Sequence, residues 1–503
     1  MKTENSKITI GLKWIIVFPL AISISCSDFL EKKLQGEVTQ QNFPTSASDA
    51  LLATNAVYKT LRRSSYHSGL FPILDIMSDD ARKGSNPTDQ AATIGPYDSF
   101  EHVPGESSLA GWWNTLYEGI KWANVVVISV PKISMDENLK KRYVGEARFL
   151  RALYYFDLMR AWGAVPLVTV ADPPTRLARG PKADIAALIK DDLLFAIANL
   201  PTKNEYATND NGRATKDAAR ALMARYALFQ KDYASAEQYS LEVINSGLYG
   251  LESQFANTNS VTGAGGIESV FEIGALPFED FFGSDLGGNQ YANVQGVRGT
   301  PNRGWGFNRP TPSLEAAFEP GDPRLELTII RLGEVLDGIT IAGDGSTPDQ
   351  TFDSNGILQE RECYNQKVWT PGNNVPTQWG HTKRIIRYAD VLLMAAEALA
   401  QNNKSIQALL HLNKVRERAR QGNAAILPDI TVTDKALLLD RIFQERRVEL
   451  ALEGHRFWDL VRSDRAAQVL GPLGFKAGKH ELLPVPQSEI DITQGLLGQN
   501  DNW

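Results

Sequence analysis

The sequence predicts a mainly α fold: a superhelix of helical pairs carrying a large, irregular, loop-rich subdomain with few short strands. Three observations predict it. Apolar residues recur at helical spacing through most of the chain outside one central stretch. The text DAARALMARYALFQKDYASAEQYSLEVI (217–244) holds two helices back to back, with small residues where they meet. Residues 251–380 lose this periodicity and fill with Gly, Asn, Pro and aromatics. A lone helical pair cannot bury its own apolar face, so pairs must stack into an array.

The elements follow in order. Residues 48–61 repeat Leu51, Leu52, Ala56 and Leu61 on a helix, and 112–130 repeat Trp113, Leu116, Ile120, Ala123 and Val127. Between them, 62–110 is rich in Ser, Asp, Gly and Pro, a connection long enough to carry function. Val144, Ala147, Leu150, Tyr154 and Leu158 share one face of a helix over 140–162 that stops at Gly163, with Pro166 beyond. A helix over 182–199 comes next. The pair 215–230 and 233–246 resembles a tetratricopeptide repeat: Ala224 and Ala236 permit close approach, Asp232-Tyr233 make the turn, and Tyr239 and Ile244 complete the pattern. A second such pair is expected at 385–400 and 405–418, and a last helix at 435–453. Strands are expected at Ser269–Ile273 and Leu325–Arg331. The chain thus divides into a helical-repeat region (46–250), an irregular insertion (251–380) and a last repeat with a C-terminal segment (381–503).

The bulk composition bounds the function. The chain has 503 residues, 43% hydrophobic and 22% charged, with net charge −7. Its basic residues are scattered, and the stripe a nucleic-acid binder needs is missing. Two cysteines, Cys26 and Cys363, cannot make a disulfide framework. The N-terminus carries Lys2, Lys7 and Lys13, then the apolar run Trp14–Ile24, then SISCSDFLE around Cys26. This resembles the lipobox of a bacterial lipoprotein, with Ser23 where such sequences usually carry leucine. Cys26 is then the acylated first residue of the mature chain, 1–25 is removed, and 26–45 is a tether. The mature chain loses three Lys and one Glu and carries net charge −9. Cys363 is expected to be buried.

The local patterns of several enzyme classes are absent: HExxH, GxSxG, CxxC and a phosphate-cradling glycine loop before a helix. The six histidines are isolated in sequence, so no metal or cofactor is expected. Asp79-Asp80 is the best adjacent acidic pair and is expected to serve as loop or capping carboxylates rather than catalysts. In RIFQERRVELALEGHRFWDL (441–460), Arg441–Glu445 and Arg446–Glu449 have the spacing to pair on one helix surface, and Phe443, Leu450 and Phe457 recur every seven residues as a buried seam.

Several separate segments resemble the SusD/RagB family. These are RFLRALYYFDLMRAWGAVPLV (148–168), GWGFNRPTPSLEAAFEPGDPRL (304–325), RYADVLLMAAEAL (387–399), RIFQERRVELALEGHRFWDLVR (441–462) and LLPVPQSEID (482–491). CSDFLE (26–31) is similar to its mature start. The resemblance implies an outer-membrane lipoprotein, anchored at the cell surface and facing outward, built on four tetratricopeptide-like pairs. It implies a non-catalytic binder of glycans or other nutrients that acts as a lid on a SusC-like TonB-dependent barrel. Other readings of the residues are a surface glycan hydrolase on a helical scaffold, a repeat scaffold that binds only proteins, and a binder of another nutrient such as peptides.

A sugar presents flat C–H faces and a rim of hydroxyls, which aromatic faces and Asp, Arg or amide groups satisfy. Such residues belong on irregular segments. The early connection offers Tyr66, Asp79, Asp80, Arg82 and Tyr97. The insertion offers Phe281, Phe282, Tyr291, Trp305, Phe307, Asn308, Trp369 and Trp379. Trp112, Trp113, Trp122, Trp162 and Trp458 lie on helices and are expected in the core.

Overall fold

Local capping signals set the helix ends in a computed structural model that describes residues 43–67, 71–276, 290–345, 350–352, 356, 358–371 and 380–503. Helix α1 (Ala47–Thr60) begins with a reciprocal capping box between Ser46 and Asp49. Helix α2 spans Ser107–Ser129. Helix α3 (Glu137–Trp162) starts where Asp136 accepts the Leu139 N–H at 2.8 Å and stops at Gly163, whose φ of 75° suits glycine. Helix α4 is Lys182–Asn199. Helices α5 (Lys216–Phe229) and α6 (Tyr233–Asn245) are capped by Thr215 and Asp232. After the insertion come α7 (Tyr388–Gln401), α8 (Ser405–Ala419), α9 (Lys435–Glu449) and α10 (Arg456–Arg462).

The helices pack as tetratricopeptide-like pairs: α1 with α2, α3 with α4, α5 with α6, α7 with α8. Neighbouring pairs stack through α2 on α3, α4 on α5 and α6 on α7, and α9 closes the array on α7. Small residues make the close approaches. Ala224 and Ala236 are fully buried. Gly119 on α2 lies so close to α3 that a Cβ there would overlap the Tyr154 ring. Trp112, Trp113, Trp162 and Trp458 are buried, while Trp122 is half-buried. Cys363 is buried, its thiol facing the Pro310 carbonyl at 3.4 Å.

The strands of the described residues form five separate two-stranded antiparallel ladders. Ala81–Gly84 pairs with Phe307–Pro310, which joins the early connection to the insertion. Ser269–Ile273 pairs with Lys383–Arg387, which runs straight into α7. Here the helix expected from residue 385 is corrected. Ile385 and Ile386 are β-branched, Arg387 is extended, and all five residues of the strand are buried against their partner. The strand expected over Leu325–Arg331 is only Ile329–Arg331, paired with Cys363–Asn365. The last helix ends at Glu449 rather than 453, because Arg387 and Lys367 both donate to the Glu449 carbonyl at 2.9 Å. Leu450 and Phe457 are buried but lie beyond α9, so the seven-residue seam is not one helix face.

A buried ion-pair network joins the insertion to the array. Arg324 of the insertion meets Asp322, Glu445 and Glu449 at 2.8, 2.6 and 3.0 Å. Arg387 meets Glu268, Glu449 and Glu453, and Arg418 meets Glu268 and Glu449. The expected pairing within α9 is therefore corrected. Glu445 and Glu449 turn inward to arginines of other segments, and Arg446 reaches Asp390 and Asp459. Burial removes water from these charges, so each needs several partners.

Candidate functional site

The ladder between Ala81–Gly84 and Phe307–Pro310 brings the early connection against the insertion. Lys83 stiffens that junction: its ammonium donates to the carbonyls of Gly84, Asn86 and Asp89 at 2.8, 3.0 and 2.8 Å. Arg298 crosses from the insertion to Asp89 at 2.9 Å and to Asp344 at 2.6 Å.

Most of the residues proposed from sequence in the early connection face inward. Tyr66 is buried and donates to Asp157 at 3.2 Å. Tyr97 is buried, shares a hydrogen bond with Ser108 at 2.8 Å and stacks on His102. Asp80 is fully buried against Arg447 at 2.7 Å. Asp79 accepts both arms of the Arg456 guanidinium at 2.8 and 3.0 Å and also meets Arg447. Burial works to raise the Asp79 carboxyl, but Arg456 and Arg447 outweigh it and hold the group below its ordinary value. Arg82 is half-buried and donates to the Ser78 and Ala81 carbonyls.

In the insertion, Tyr291, Phe307 and Asn308 are also internal. Lys383 donates to the Tyr291 hydroxyl at 2.8 Å. Asn308 is fully buried and donates to Asp75 and Gln295 at 3.1 and 2.7 Å. Phe307 is buried with the Lys83 ammonium 5.6 Å from its ring centroid. Trp305 is half-buried between Gly304 and Gly306. Phe281, Phe282, Trp379 and Cys26 lie outside the described residues.

Trp369 is a predicted aromatic of the insertion that lines a cleft. Its indole N–H donates to Asp337 at 2.8 Å, and the Arg303 guanidinium lies 5.1 Å from its ring centroid. The ring packs against the cluster of Val297, Ile330, Ile341 and Tyr364. The cleft beside it holds about 150 Å³, enough for several waters, between Trp369, Phe255, Asn259, Ser260, Gln366 and Lys367. The buried Oε1 of Gln366 has no hydrogen-bond partner among the described residues. Lys367 is not free to meet a ligand, because it pairs with Glu453 at 2.7 Å. An aromatic surface, neutral amides and a waiting acceptor suit a neutral hydroxylated molecule.

Another cleft, between Tyr206 and Tyr249, has its polar groups engaged with one another. Lys203 donates to the Gly266 carbonyl, Tyr206 to the Ala214 carbonyl, and Arg213 to Glu146. Sequence reasoning missed Arg303, Asp337, Asn259 and Gln366. Asp337-Gly338 was the detectable one: an Asp-Gly between Val335-Leu336 and Ile339-Thr340 is a hairpin signal, and the two strands do pair.

Residues 280–481 match the family model described as the SusD family, and 76–228 match one described as starch-binding, associating with the outer membrane. A curated relative, SusD-like protein P38 of Formosa agariphila, is 27% identical over 92% of this chain and 93% of its own. A solved laminarin-binding SusD-like protein superposes with a TM-score of 0.77 at 29% identity, over 91% of this chain and 100% of that one. Surface glycan-binding protein A from Bacteroides thetaiotaomicron, in complex with laminarihexaose, gives a TM-score of 0.77 at 25% identity over 91% and 100%. Among the described residues no helix is long and apolar enough to cross a membrane.

Proposed function

We propose, from the premise that this chain belongs to the SusD family, that it is a surface lipoprotein that binds glycans and passes them without catalysis to a SusC-like TonB-dependent transporter. The observation that carries the binding reading is the Trp369 cleft: a held indole, neutral amides and an unpartnered Gln366 oxygen. Family membership supports the outer-membrane setting, and the glycan ligands in the names of similar structures support the ligand class. Acylation at Cys26, the outward orientation and the barrel partner rest on the resemblance of the N-terminus and on the order of the family-like segments in this sequence.

An open cleft of this kind gives modest affinity, on the order of micromolar to millimolar. The test is tryptophan fluorescence and calorimetry of the mature chain against soluble polysaccharides and peptides. Saturable binding of one glycan is expected. A response to peptides with silence on all glycans would overturn the ligand class. Release of reducing ends by the purified protein would overturn the non-catalytic reading.

A further inference from the structure

The charge of this protein is unevenly divided. Residues 251–380 hold 17 Asp and Glu against 7 Lys and Arg, a net of −10, more negative than the −7 of the whole chain. The early connection, 62–110, adds 7 acidic against 4 basic residues. The ligand-side segments therefore carry all of the net negative charge, and the helical remainder is slightly positive.

Six of the seven cations of the insertion pair with a carboxylate. Arg298 is held by Asp89 and Asp344, Arg309 by Glu360, and Arg324 by Asp322. Arg331 meets Glu315 and Glu326, and Arg361 lies 3.6 Å from Glu315. Lys367, the cation in the cleft wall, is held by Glu453. Arg303 lies over Trp369 with Asp337 acting on it electrostatically and also gripping the indole. In the early connection, Lys83 and Arg82 are turned onto backbone carbonyls. The parts of the insertion outside the described residues add Glu279, Asp280, Asp285, Asp349 and Asp353 and no Lys or Arg.

A polysaccharide bearing carboxylate or sulfate needs cations with unspent hydrogen-bond donors, and it must approach against a negative field. We infer that the site discriminates by charge, taking uncharged glycans and excluding uronate-bearing and sulfated ones. This rests on the glycan reading of the Trp369 cleft, whose lining of Asn259, Ser260 and Gln366 is neutral.

The test is a panel of neutral polymers (laminarin, starch, xylan, mannan) and anionic ones (alginate, polygalacturonate, a sulfated galactan), measured by calorimetry with the mature chain at low and high salt. At least one neutral polymer should bind with little salt dependence. Carboxymethylating that polymer should weaken binding about tenfold at low salt, with partial recovery at high salt. Tighter binding of an anionic polymer than of every neutral one, lost as salt rises, would overturn the charge inference and leave glycan binding intact. Silence on the whole panel would instead overturn the glycan reading beneath it. The double variant Asp89→Asn/Asp344→Asn, which removes both carboxylates from Arg298, should raise affinity for the carboxymethylated polymer about threefold. An unchanged affinity would show that committed arginines are not the source of exclusion.

Discussion

At the scale of single residues, Trp369 and His102 show two opposite uses of an aromatic ring. Trp369 is held at its N–H by Asp337 and keeps a half-exposed ring on a cleft. Trp369→Ala should weaken glycan binding by about 1–2 kcal/mol, roughly tenfold, and remove the ligand-dependent fluorescence change. Calorimetry on the variant, with circular dichroism showing that it is folded at the assay temperature, checks this. His102 is buried among Tyr97, His480 and Trp503, and neither of its nitrogens has a hydrogen-bond partner among the described residues. Burial, with lesser effects from His480 and Lys479, pushes its pKa down to about 3. The unfolded chain takes that proton near the ordinary 6.5, whereas the folded one resists until about 3. Its stability is therefore present above 6.5 and lost as pH falls through that window, at up to about 1.4 kcal/mol per pH unit. His102→Phe keeps the ring and removes the proton, so its melting temperature should fall less steeply between pH 6.5 and 4 than that of the parent. Parallel profiles would count against this account.

At the scale of elements, the legible features are those with local causes. Asp136 and Gly163 bracket α3, and Asp232 starts α6, because caps act within one turn. What escaped was set at long range. Ile385-Ile386 read as the start of a helix, but their strand partner lies more than a hundred residues earlier. Tyr66, Tyr97 and Asn308 sit in polar text, yet that text does not say which polar groups will be satisfied internally. Two element-scale predictions follow from close packing and from buried charge. Gly119→Ala should cost about 1–3 kcal/mol by urea denaturation, because the added Cβ meets the Tyr154 ring. In a Tyr154→Leu background that cost should shrink, since the two residues share one contact. Glu449→Gln should cost about 3–5 kcal/mol by leaving Arg324, Arg387 and Arg418 short of a counter-charge. Burial works to raise Glu449, but those arginines outweigh it and bring it down to about 2. Its contribution is present above the ordinary 4.5 and fades as pH drops toward 2. The gap between the variant and the parent should narrow in that acid window.

At the scale of the whole molecule, the helical array and the loop-rich insertion were legible from periodicity and its loss. The ligand surface was only partly so. Trp369 could be named from its sequence neighbours, but Asn259, Gln366 and Arg303 come together from segments with no shared local pattern. The proposed anchor belongs at this scale as well. Cys26→Ser should move the protein from the membrane fraction to the soluble fraction in cells lacking the barrel partner. Retention in membranes would mean that some other segment holds it there.

The network around Glu449 also limits how this protein can be recombined. An engineer, or evolution, seeking a new ligand surface cannot exchange residues 251–380 as a cassette. Arg324 and Lys367 leave with the insertion, and Glu445, Glu449 and Glu453 stay behind in the dry interior. A viable graft must bring its own arginine and lysine to those three carboxylates. The loops can be rewritten freely only if the charged root beneath them is inherited with the array.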